Sequence, residues 1–143
     1  MSLPGILIAG AASGLFAVLY QNRWGVVGAT SLVGALSWGL SLPAMDRPHG
    51  AVLADLLGAL VAGLLSEMGA RRLREPVSVL VVPAVIPFVP GYGAYQSMRA
   101  FLDGRFLLGW ERASAVMLEA GALAVGLALA TAIARSVRGR HTT

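Results

Sequence analysis

Four or five apolar runs approach or exceed the roughly 20 residues that carry a helix across a bilayer, and they decide what this chain can become. Hydrophobic residues make up 57% of the 143 and charged residues 13%. A soluble domain would carry about 25% charged residues. The expectation is an all-α, polytopic transmembrane bundle of about five spans, in a single domain covering residues 1–143. The spans are placed at about 3–20, 25–43, 49–70, 77–101 and 113–134, with a basic tail at 135–143. The first run starts at Leu3 with no positively charged stretch before it. That predicts a retained span rather than a cleaved signal peptide.

All eleven basic side chains are Arg, and the formal net charge is +4. In a membrane chain such charges set orientation, so they do not point to nucleic acid. If the fourth segment crosses once, Arg23, Arg71, Arg72, Arg74, Arg135, Arg138 and Arg140 gather on one side. Arg47, Arg99, Arg105 and Arg112 gather on the other. The larger set is then expected in the cytoplasm and the N-terminus outside. If the segment is re-entrant, the tail changes sides.

The fourth segment holds the anomaly. Within VSVLVVPAVIPFVPGYGAYQ, Pro83, Pro87 and Pro90 are followed at once by Gly91. Each proline removes a backbone donor and clashes with the carbonyl four residues back, so the helix should break here. Gly91 is free to take unusual dihedrals. Irregular backbone at membrane depth survives only inside protein or beside a water-filled cavity. Broken helices of this kind build transporter sites, because the restarted helix presents N–H groups and a positive dipole end to an anion. A kinked structural helix is the plainer alternative. If helix resumes near Gly91, Tyr92, Tyr95, Gln96 and Arg99 share one polar face. They could hold a small carboxylate; alternatively they form an interfacial belt, with Arg99 paired to Asp103.

Two acidic residues lie inside spans. Asp55 is a functional candidate by position, because a carboxylate within a span costs about 2.5–3.5 kcal/mol on insertion scales. Its helical face carries Ala51, Gly58, Ala59 and Ala62, which predicts protein rather than lipid against it. Leaving water favours the neutral form of a carboxyl, so Asp55 is a candidate to carry a coupling proton. A carboxylate satisfied by a neighbouring Arg, Ser or Trp is the alternative. Glu119 is a second, shallower candidate, with a rim contact to Arg112 as its structural reading. Glu67 is explained by Arg71 four residues on. Rows of small residues (Gly10 and Gly14; Ala122, Gly126 and Ala130) predict close helix packing, within the chain or against a second subunit.

The chain has no cysteine and two histidines without ligand company, so no metal site or cofactor is expected. No nucleophile elbow, P-loop or dinucleotide fingerprint is present, so an enzyme is not expected.

The stretch VVPAVIPFVPGYGAYQSM resembles the signature region of the threonine/serine exporter family, in the smaller of its two modules. That module is the C-terminal half of fused members and a separate small subunit in split ones. Chain length, number of spans, the Trp in the second span and the Arg-rich link before the fourth segment agree, over about residues 3–134. Pro83, Pro87, Pro90, Gly91 and Tyr95 fall on the motif positions, and with Tyr92, Gln96 and Arg99 they make up the expected substrate-binding set. The resemblance implies export of threonine, serine or related small carboxylates from a bacterial inner membrane, driven by protons. It also implies a larger membrane subunit as partner, or self-association, since five spans form only about one bundle. A structural subunit that binds no solute, or an oligomeric channel, remains as an alternative of a different class.

Overall fold

A computed structural model describes residues 3–139, and among them the ordered elements are all helical. The helices are α1 (Leu3–Leu19), α2 (Trp24–Met45), α3 (Gly50–Leu73), α4 (Val77–Ala84), α5 (Gly91–Leu102) and α6 (Phe106–Gly139). A 3₁₀ turn, Ile86–Phe88, separates α4 from α5. Helices α2, α3 and α6 are each long and apolar enough to cross a membrane. The α4–turn–α5 pair does so jointly, bent by 50°. The 17-residue α1 is apolar but shorter, about 25 Å of helix. The polytopic bundle with a broken fourth segment is therefore the architecture of the chain.

Three boundaries differ from expectation. Helix α2 runs past Pro43 to Met45. A proline in the final turn costs only one backbone bond near an end where carbonyls are already unpaired. The supposed link at 103–112 is mostly helix, because α6 begins at Phe106 and leaves only a short turn with Gly104 at φ 73°. The supposed basic tail is helical through Gly139, and the expectation for residues 140–143 lies outside the described residues.

Helix contacts fix the path. Gly10 and Gly14 of α1 abut Ser31 and Ala35 of α2, and Gly34 of α2 abuts Ser13. Across the next pair, Val26 meets Ala70 and Val33 meets Ala62, so α2 and α3 are antiparallel. Leu80 reaches Gly69 and Phe88 reaches Gly58, so α4 runs back along α3. On the far side of α3, Ala59 faces Gly126 and Gly63 faces Ala130, so α3 and α6 are parallel. The small-residue rows are thus spent on packing within the chain, where they let backbones approach closely.

Parallel α3 and α6 have a topological consequence. The segment between them must return from one end of the bundle to the other, so α4 and α5 cross rather than re-enter. Arg23, Arg71, Arg72, Arg74 and Arg135 then share one end, where Arg23 and Glu75 approach to 3.7 Å. Arg47, Arg99, Arg105 and Arg112 share the other.

Candidate functional site

The broken segment has two halves with different surroundings. The first is dry. Pro83 and Ala84 are buried, and Phe88 is 3% exposed. The Phe88 ring lies against Trp38, with centroids 5.5 Å apart, and fills the notch left by Gly58. A Cβ at Gly58 would fall within that ring. The donors around the prolines close on nearby carbonyls: Val85 N–H to Val81, Phe88 to Val85, Val89 to Ile86 and Gly91 to Val89. Because these bonds are local, the backbone turns at membrane depth without demanding water. Gly91 opens α5 as an ordinary helical residue with negative φ, so the unusual dihedrals expected of it are not used.

The second half is polar. Helix α5 packs back on the start of α6, where Gly93 meets Val116 and Ser97 Oγ donates to the Gly109 carbonyl at 2.9 Å. Gly109 sits against the Phe101 ring, which also meets Trp110 edge-on. An open cleft of about 270 Å³ runs along this hairpin. Tyr92, Tyr95, Gln96, Arg99 and Ala100 line one wall, and Asp103, Arg105, Leu108 and Arg112 complete the cleft. The expected polar face is therefore assembled, with two further guanidiniums added to it. Arg99 lies 4.0 Å from Asp103, as the spacing predicted, and both side chains are largely exposed.

The expected set is thereby divided. Pro83 is buried in the dry half, Pro87 and Pro90 are half-buried, and none of the prolines lines the cleft. The prolines aim α5; the side chains after them form the surface. From sequence Arg105 is legible only as an orienting charge, and Arg112 as that or as a rim partner of Glu119, because nothing in their spacing shows that the turn at Gly104 folds them against Arg99. Phe88 lay in plain view within the motif, but its partner Gly58 is 30 residues away in sequence.

The register of α6 on α3 gives the depth of this cleft. Extended along both helices, it sets Gly50 level with Met117, so the first turns of α6 project beyond α3. The 34 residues of α6 span about 50 Å, well over the ~30 Å hydrocarbon core. The cleft thus lies at one end of the bundle, and Glu119 then Asp55 lie successively deeper. Both carboxylates are half-buried and close enough to repel one another. The expected small face around Asp55 is packed at Gly58, Ala59 and Ala62, whereas Ala51 is exposed. No ion pair joins Arg112 to Glu119 among the described residues, and none reaches Asp55. The rim contact proposed for Glu119 is replaced by its proximity to Asp55. Glu67 does approach Arg71, at 3.7 Å. Among the described residues no group of acidic and histidine side chains is arranged to hold a metal ion.

The family model described as Threonine/Serine exporter, ThrE, matches residues 5–133. The chain belongs to the threonine/serine exporter family. It is also 28% identical over 136 residues to the threonine/serine exporter of Corynebacterium glutamicum. That alignment covers 93% of this chain and 27% of the relative, so the chain spans about a quarter of that protein's length. No solved structure matches it. Within that family this chain is a helical bundle with charged residues at both ends and a polar cleft at one of them.

Proposed function

We propose that this chain is a membrane subunit of a proton-coupled secondary exporter of small amino acids such as threonine and serine, in a bacterial inner membrane. The carrying observation is the order of charges along α5 and α6. Three guanidiniums, two phenols and the Asp103 carboxylate surround a cleft at the bundle end, with Glu119 on α6 and Asp55 on the adjoining α3 following at increasing depth. A zwitterion needs this pairing of opposite charges. Arg99, Arg105 and Arg112 would pair with its carboxylate, Tyr92, Tyr95 and Gln96 would hydrogen-bond it, and Glu119, about two helical turns along α6 from Arg112, would meet its ammonium group at a later step of transport. The prolines and Gly91 act by setting the start and direction of α5.

Asp55 is the proton carrier in this reading. Its half-buried place within α3, beside Glu119 and below the cleft, supports this. A larger membrane subunit completes the pathway. Support comes from α6, which is the least buried of the long helices although it carries the charge ladder. Transporter sites commonly lie between two bundles, and a half-open cleft fits one wall of such a site.

The test is threonine and serine export from cells expressing the chain with its genetic neighbours. Arg99→Ala, Arg112→Ala and Asp55→Asn should each depress export at unchanged protein levels; normal export in all three would remove the site. A structural role without solute binding is the competing reading. Threonine-dependent protection of Tyr92 and Tyr95 from chemical labelling in the assembled exporter would exclude it.

A further inference from the structure

A second cleft lies at the opposite end of the bundle and takes no part in the proposed transport site. It is a groove of about 300 Å³ on the outer face of the antiparallel pair α2 and α3. Ala29, Leu32 and Leu36 form one wall, and Leu65 and Met68 the other. Leu32 and Met68 are more than half exposed, so these walls face outward rather than into the bundle. Arg72 stands at the mouth and is the one charged residue lining the groove. Its neighbours differ: Arg71 approaches Glu67, and Arg23 approaches Glu75, each at 3.7 Å. Among the described residues Arg72 has no such acidic partner.

We infer that this groove is a binding site for one anionic phospholipid, with an acyl chain along Leu32, Leu36, Leu65 and Met68 and the phosphate on Arg72. Three features select this occupant. The groove is apolar throughout its depth and cationic only at its mouth, which is the charge pattern of a single lipid. It opens at the end where α3 finishes and where Arg23, Arg71, Arg72, Arg74 and Arg135 gather, so Arg72 stands at headgroup depth. Basic pockets between transmembrane helices are built to take anionic headgroups, and guanidinium pairs with phosphate through two parallel hydrogen bonds. A helix of another subunit would instead need a long apolar face and would leave Arg72 unpaired beside it.

Native mass spectrometry of the full chain released from detergent, titrated with phosphatidylglycerol or phosphatidylcholine, tests this. One phosphatidylglycerol should be retained in preference to phosphatidylcholine. Arg72→Gln should weaken that binding about fivefold, the effect of one basic residue at a charged surface. Arg72→Lys, which keeps the charge but not the paired hydrogen bonds, should fall between the unaltered chain and Arg72→Gln, and Arg74→Gln, which removes a charge at the same end outside the groove, should keep most of the binding. Ala29→Phe, which fills the groove and leaves the charge in place, should abolish the preference. Equal retention of the two lipids, or an unchanged affinity in Arg72→Gln and Ala29→Phe, overturns the inference. So does cross-linking of Leu32→Cys to a second polypeptide with lipid retention unaltered.

Discussion

The two halves of the fourth segment are adjacent in sequence and opposite in character. Val77–Phe88 packs one face on α1, α2 and α3, burying Leu80, Pro83, Ala84 and Phe88, and its irregular backbone closes on itself. Gly91–Leu102 leans on α6, leaves Tyr92 75% exposed, and gathers arginines from both sides of the Gly104 turn. Breaking a helix in a membrane and building a polar surface there are therefore separable tasks. The first is solved by proline, local hydrogen bonds and one aromatic plug. The second is solved about one turn later, by ordinary helical spacing and a hairpin.

That contrast can be broken from either half. The largest effect is expected from Phe88→Ala. Emptying the Gly58–Trp38 notch should cost about 3 kcal/mol, the low end for a buried aromatic, because lipid rather than water receives the freed surface. Leu102→Ala, at an exposed α5 position, should cost no more than about 0.5 kcal/mol. Thermal denaturation in detergent measures both, and similar values would erase the distinction. Next, Arg99→Ala or Arg112→Ala should lower amino-acid export about tenfold to a hundredfold, the worth of a charge-assisted hydrogen bond, with melting unchanged.

Asp55→Asn should reduce gradient-driven export about tenfold while leaving downhill exchange between equilibrated vesicles intact. Loss of both would make Asp55 a structural or binding residue instead. Ser97→Ala removes the hydroxyl that ties α5 to the Gly109 carbonyl and should cost about 1 kcal/mol. The smallest change is Asp103→Asn. An exposed pair at 4.0 Å should yield less than about 0.5 kcal/mol, and salt should erase even that.

Much of this was legible beforehand because hydrocarbon tolerates so few backbone arrangements. The helical class, the broken fourth segment, the polar face of Tyr92, Tyr95, Gln96 and Arg99, and the Glu67–Arg71 pair all follow from local spacing. What local spacing misplaced were ends. The helix of α6 reaches back to Phe106 because a short apolar stretch, FLLGW, reads as link when scored beside Asp103, Arg105, Glu111 and Arg112. The motif puts Pro83, Pro87 and Pro90 next to the polar face in sequence, and nothing local shows that Phe88 caps their surroundings with apolar surface.

By itself, then, the sequence determined that the chain is a helical membrane bundle, where its fourth crossing breaks, and which residues after the break share a face. Those outcomes rest on apolar run length, proline chemistry and the 3.6-residue turn, all of which act within about 20 residues. Tertiary structure alone decided that the segment crosses, that Phe88 docks on Gly58, that Arg105 and Arg112 join Arg99, and that Glu119 approaches Asp55. Each depends on how α3 and α6 run relative to one another. That register is set by glycine and alanine contacts between residues more than 60 positions apart, such as Gly63 with Ala130.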